Sequence, residues 1–513
     1  MNNILKYIGF GCVATLMAFS AASCSEEKMD EINADNSHTT DVVVKFIIPD
    51  IELRTAQYII GGDFNTYLGS YVEYWAGTHN QLYQAELRHA EVRSASTFNN
   101  NWGSIYENIR NAKIAVAKCE DGGSDAGDAL SHGIAKVMLA YNLAVATDLF
   151  GDTPYSEVGD YVQFPAPKAD KQEALYTEIL KLLDEAISDF AGAGNTLGKY
   201  DFIYGGNAAA WAKLANGLAA RYTMRTLNKA SDKNAACNKA LAYLAKSFTS
   251  AAEQASMQYD GSNQNPLFDF EWSRDGISSC TSMFGKLMDR TDPRAERVYF
   301  DPSSWEHYAS ADAEDLLAPT GDPVESQYEY SYDVFFFGEV APIHFMSYHE
   351  ALFLKAEAEA RLGQDASATL KAAVAAAFAN LEVNVDGAMN APSINTYGGL
   401  DDISDDALTS DDADDYFDTV VKPLYDANPL KEVMLQKYIG LWGANGETLE
   451  TYADIRRLKA EGKDVYGLIN PGKFPLRCAY GNDDVVSNPN IAGLYGDGQY
   501  VFTENVWWAG GSR

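Results

Sequence analysis

The chain has 513 residues, 46% of them hydrophobic, so it can bury a sizeable core and is no disordered polymer. Its 73 acidic against 39 basic residues give a formal charge of −34, a sign that repels phosphate backbones and argues against nucleic acid as a partner. Aromatic residues are plentiful (31 Tyr, 23 Phe and 8 Trp) and suit either core packing or a surface that stacks on flat ligands.

In chain order, Lys6 and the apolar run "YIGFGCVATLMAFSAAS" come first. The run is too short and interrupted for a transmembrane span, and residues 1–23 read as a cleaved export signal. Small residues Ala21, Ala22 and Ser23 precede Cys24, which resembles a bacterial lipobox, although Ala21 stands where Leu is commoner. Cys24 would then carry the lipid and become the new N-terminus, and two or three acyl chains give durable anchoring. Residues 24–40 are polar and read as a flexible tether, with the globular part at 41–513. Cys119, Cys237, Cys280 and Cys478 are far apart, form no CxxC, and read as scattered buried thiols.

The rest is dominated by helical periodicity. "WGSIYENIRNAKIAVAKC" places Ile105, Ile109, Ala112 and Val116 on one face. "IAKVMLAYNLAVATDLF" is apolar nearly all round, which predicts a buried helix that Gly151 and Pro154 end. "DKQEALYTEILKLLDEAISDF" is amphipathic, with Asp170 as the expected N-cap and Glu173 completing a capping box. "NAAAWAKLANGLAARYTMRTL" follows, capped by Asn207. Successive helix pairs of this kind predict helical hairpins stacked as in tetratricopeptide arrays. Residues 255–345 break the pattern and read as an irregular, aromatic-rich insertion of loops and short strands. Helix resumes at "PIHFMSYHEALFLKAEAEARLG" and "ASATLKAAVAAAFANLE". Nine aspartates between 401 and 418 lack the calcium-loop pattern and read as a solvated acidic loop. "KEVMLQKYIGLWG" and "GETLETYADIRRLK" form the last long helical stretch, where Arg456 and Arg457 are expected to brace helices by pairing with acids.

Enzyme templates mostly fail. There is no HExxH, no G-x-S-x-G elbow and no phosphate-binding glycine loop, and no cofactor is expected. His344 and His349 are five apart, fall on different helix faces, and read as packing residues. With 73 acids a pair of carboxylates at glycosidase spacing stays open, so a surface glycoside hydrolase remains the alternative to a binding protein.

Six segments then appear together and in order: "ATDLFGDTPYSE", "WAKLANGLAARYTMR", "PIHFMSYHEALFLKAEAEARLG", "LQKYIGLWGANGETLETYADIRRL", "FPLRCAY" and the terminal "VWW". With the lipobox, this set resembles the SusD/RagB family of nutrient-binding outer-membrane lipoproteins of Bacteroidetes. The resemblance implies a mainly α fold, a tetratricopeptide-like superhelix with a loop-rich ligand-binding half. It also implies a cell-surface protein that captures oligosaccharides, or oligopeptides, and delivers them to a SusC-like TonB-dependent barrel without breaking a bond. The acidic "SEEKMDE" after Cys24 resembles the signal that sends such lipoproteins to the outer face. Ligand contacts in this family lie on variable loops, so candidates are sought among aromatics outside periodic helices beside amides. These are Trp75, Trp102, Trp272 and Trp305 first, then Tyr71, Tyr74, Asn101, Tyr299 and Tyr330, with Asn80, Arg274, Tyr328 and Tyr332 nearby.

Overall fold

The computed structural model describes residues 42–308, 312, 314–442 and 445–513. The expected export signal, lipidated Cys24 and tether lie outside them. Residues 44–513 form one compact unit.

The core is built by long helices whose apolar stripes face each other. They are α1 (Val44–Arg54), α2 (Asp63–Tyr71), α3 (Asn80–Glu86), α4 (Asn99–Cys119), α5 (Ala129–Phe150), α6 (Gln172–Asp189), α7 (Ala208–Arg225) and α8 (Lys233–Leu244). After the insertion, which carries α9 (Pro266–Arg274) and α10 (Thr281–Met288), come α11 (Tyr348–Arg361), α12 (Ser367–Met389), α13 (Pro429–Trp442) and α14 (Thr448–Ala460). Neighbours in sequence pack as neighbours in space from α4 through α8, and α8 then packs on α11 as though the insertion were absent. This is the expected stacked array. α5 is long and apolar enough to cross a membrane, yet it is buried among the helices on both sides.

Four two-stranded ribbons fasten the loops. They join β1 (Ala76–Gly77) to β5 (Ile277–Ser278), and β2 (Thr153–Pro154) to β3 (Ala169–Asp170). They also join β4 (Ala255–Met257) to β8 (Ile343–Met346), and β6 (Tyr299–Phe300) to β7 (Tyr332–Asp333). All are antiparallel. The insertion is thus more ordered than its sequence suggests, because α9 and α10 sit inside it.

Local expectations divide in an instructive way. Asn207 caps α7, its Oδ1 accepting from Ala210 N at 3.2 Å. Asp170 does not cap α6: Lys171 holds that position, and the Asp170 carboxylate instead accepts from Tyr155 N and Ser156 N across the β2–β3 turn. The N-terminal donor at Gln172 is met by Asp152 from the preceding turn. Within the acidic run, residues 410–416 are helical, started by a capping box in which Thr409 and Asp412 exchange hydrogen bonds. All four cysteines in the described residues are free and buried. Among the described residues no cluster of His, Cys, Asp or Glu is arranged to hold a metal ion.

Between α7, α11, α13 and α14 lies a buried ionic network. Arg221 binds Glu350 and Arg225 binds Asp148 and Glu450. Lys437 binds Asp454, while Arg457 binds Glu357 and Asp454. Arg361 bridges Glu357 and Glu461. Glu447 stands 3.5 Å from Arg221. Arg456 departs from expectation: its guanidinium donates to the Asp148 carbonyl and lies over the rings of Tyr452 and Trp508.

His344, on β8, links β4 to α12, with Nδ1 2.8 Å from the Ser256 hydroxyl and Nε2 2.8 Å from Asn380 Oδ1. Burial pushes it down to about 4, against a partial lift from Asn380. A histidine depressed in the folded state is neutral there and charged in the unfolded chain below about pH 6.5. Stability is therefore full above pH 6.5 and falls as pH drops toward 4, by about 3 kcal/mol from this residue. His344→Gln should flatten that part of the acid decline, measured as the urea midpoint between pH 7.5 and 4.5.

Candidate functional site

Asn265 caps α9 through its Oδ1, which accepts from Leu267 N at 2.9 Å, with Pro266 at the first helical position. Its amide also donates to the Ala341 carbonyl at 2.9 Å, pinning the helix start to the core. Asp275 ends it in the left-handed region at φ 50°. Residues four apart share a helix face, so Phe268 lies under Trp272 with the rings stacked 5.5 Å apart. The opposite face carries Asp269 and Ser273.

Each face borders a depression. The Asp269 side faces an open polar cleft of about 570 Å³, walled by Gln57, Tyr58, Asn80, Gln81, Asn100, Asn101 and Arg274. A π-helical turn, Thr55–Ile60, supplies Gln57 and Tyr58. The β1–β5 ribbon, extended by Thr78 N donating to Gly276 O, fixes the opposite wall to the end of α9. Asn101 donates to Tyr58 O at 2.8 Å and keeps a buried Oδ1 with no partner. Burial raises the Asp63 carboxyl, and the charge of Arg274 opposes that rise.

The Trp272 side faces an aromatic groove of about 200 Å³, lined by Trp272, Trp305, Tyr328, Tyr332, Phe336 and Phe337 with Glu271 and Asp275. Trp272 is 43% exposed. It meets Trp305 edge-on at 5.7 Å and Tyr397, 73% exposed, at 5.5 Å. Trp305 sits at φ 62°, a costly conformation for an aromatic residue. Its loop is held by Asp301, whose carboxylate accepts from Ser303, Ser304 and Tyr308. Hydrogen bonds within its own loop thus hold Trp305 in place.

The nine aromatic and amide candidates separate sharply. Trp272 and Trp305 come together in the groove, and Asn101 lines the cleft. Trp75 is core: its indole donates to Thr66 O at 2.9 Å, and Gly69 makes room where a Cβ would overlap the ring. Tyr74 donates to Tyr438 O at 2.7 Å from a buried position. Tyr71 is buried under the Arg88 guanidinium. Trp102 is buried against Phe150 and donates to Asp484 at 2.7 Å. Tyr299 is buried in β6 against Phe284. Tyr330 is buried, its hydroxyl accepting from Val324 N at 2.9 Å. These six are buried and pack against the interior. Tyr397 escaped sequence reasoning, although a tyrosine directly before Gly398 and Gly399 carried the signal of an exposed turn.

Known proteins bear on this arrangement. Residues 37–481 match a SusD-like family described as "Starch-binding associating with outer membrane". A SusD/RagB family protein from Bacteroides thetaiotaomicron is 44% identical, with 92% of this chain and 100% of that chain covered, at TM-score 0.88. A SusD homolog from Bacteroides fragilis (18% identical, 91% and 100% covered, TM-score 0.69) shares the fold. So does a chitin-binding protein (22% identical, 90% and 99% covered, TM-score 0.63). No curated protein sequence matches. The chain belongs to the SusD-like family.

Proposed function

We propose that this SusD-like chain is a cell-surface lipoprotein, anchored through Cys24, that captures oligosaccharides and passes them to a SusC-like TonB-dependent outer-membrane barrel. The observation that carries the binding role is the juxtaposition at α9. An exposed indole with two further rings offers flat apolar faces, and the amide-rich cleft beside it offers hydrogen bonds to hydroxyls. The family description and the chitin-binding neighbour point to the same ligand class. The chain acts without catalysis. Of the two carboxyls in the groove, Asp275 lies close enough to Glu271 to raise its proton affinity. Retaining glycosidases need about 5 Å between carboxyls, and inverting ones more.

Titration against a panel of oligosaccharides and mixed oligopeptides tests this. Saturable heat with at least one oligosaccharide, and no new reducing ends after prolonged incubation, is the expected result. Turnover near 10 s⁻¹, typical of enzymes, would overturn the binding role. Heat with peptides alone would overturn the ligand class.

A further inference from the structure

The floor of the aromatic groove holds an arrangement that a purely neutral ligand leaves unanswered. Glu271 and Asp275 are both buried there and face one another. Tyr332 donates to Asp275 Oδ1 at 2.6 Å and Gly276 N donates to Glu271 Oε2 at 3.3 Å. The other two oxygens, Glu271 Oε1 and Asp275 Oδ2, have no donor within reach. The acids of the core network are treated differently, since Arg221, Lys437 and Arg457 bind them directly. A second close pair of buried acids, Glu52 with Asp201, lines neither the cleft nor the groove. Here the two acids line a cavity walled by six aromatic rings, and their two orphan oxygens are closed off from solvent.

Two carboxyls in a desolvated cavity cannot both carry charge without a cation between them. Burial, then Asp275, raise the Glu271 carboxyl well above the usual range, the direction that favours a proton on the pair. Aromatic faces around carboxylates are also the surroundings that attract an ammonium group. The remaining charged neighbours do not fill that role. His79 acts on Asp275 only at a distance, and Arg274 turns to the polar cleft on the other face of α9. The chain's net charge of −34 further favours approach of cations.

We propose that the aromatic groove reads a protonated primary amine, the ammonium of an unacetylated amino sugar, through the Glu271–Asp275 pair. This rests on the oligosaccharide reading above and adds the charged group that the ligand presents. The ammonium takes the place of the proton between the carboxyls. That proton leaves to solvent and the amine keeps its own.

The test is isothermal titration of the intact chain at pH 7 with a glucosamine tetramer, its N-acetylated counterpart and trilysine, in two buffers of different ionisation enthalpy. The glucosamine tetramer should bind about tenfold more tightly than the acetylated one, with release of about one proton. Glu271→Gln should bring the two tetramers to the same affinity and abolish the proton release. Asp275→Asn, which tolerates the left-handed backbone, is the second variant should the first misfold. Equal affinity for the two tetramers, or a preference that survives both substitutions, would overturn this inference and leave oligosaccharide capture standing. Trilysine bound with neither tetramer, or none of the three bound, would overturn the amino-sugar inference, and the wider panel decides the reading beneath it.

Discussion

Trp272→Ala should lower oligosaccharide affinity by between about tenfold and a hundredfold, a loss of about 1.5–3 kcal/mol, while the protein stays folded. The asymmetry follows from placement. Trp272 shows 43% of its surface, so its removal takes away a stacking face without emptying the core. Phe268 beneath it stays buried and α9 keeps its cap. Trp75→Ala is the matched contrast. That indole is 2% exposed, and its loss should cost about 3–5 kcal/mol of stability through cavity formation. Titration calorimetry and thermal unfolding on both variants separate the two roles. Equal affinity loss without destabilisation in both would contradict the division between groove and core.

Arg221→Met should destabilise the fold by about 3–5 kcal/mol, read as a fall in the denaturant midpoint. Arg221 is buried, donates from Nε to Glu350 at 3.0 Å and to the Phe345 carbonyl at 2.9 Å, and lies near Glu447 and Glu450. Six cations (Arg221, Arg225, Arg361, Lys437, Arg457, Lys463) meet seven acids (Asp148, Glu350, Glu357, Glu447, Glu450, Asp454, Glu461) across these elements. Glu447 and Glu450 are the members held above the usual carboxylate range, chiefly by burial. Removing one guanidinium leaves Glu350 facing uncompensated neighbours. Arg221→Met combined with Glu350→Leu should recover much of the loss, because exchanging a buried ion pair for apolar packing is often close to neutral.

The helical array was legible because period, length and caps agreed over long segments. α5 and α7 show this, one apolar all round and the other capped by Asn207. The acidic run hid its helix because aspartate favours caps over helix interiors, and a Thr409–Asp412 box at the start outweighed that preference. The site was only partly legible. Trp75, Trp102 and Trp272 all sit beside polar or turn residues, and nothing local tells them apart. What decides is remote packing: Trp75 meets Phe336, Trp102 meets Tyr480, and Trp272 meets a rim formed by Trp305 and Tyr397. Glu271 and Asp275 drew no notice among 73 acids, because a shared groove floor is made by the helix end and its aromatic walls together.

A crystal structure of the intact chain with a bound oligosaccharide should show a sugar ring stacked on Trp272 within the groove, with further units reaching across α9 to Asn101 and Arg274 in the polar cleft. A ligand ordered elsewhere on the surface, with Trp272 and Trp305 left bare, would contradict capture at α9.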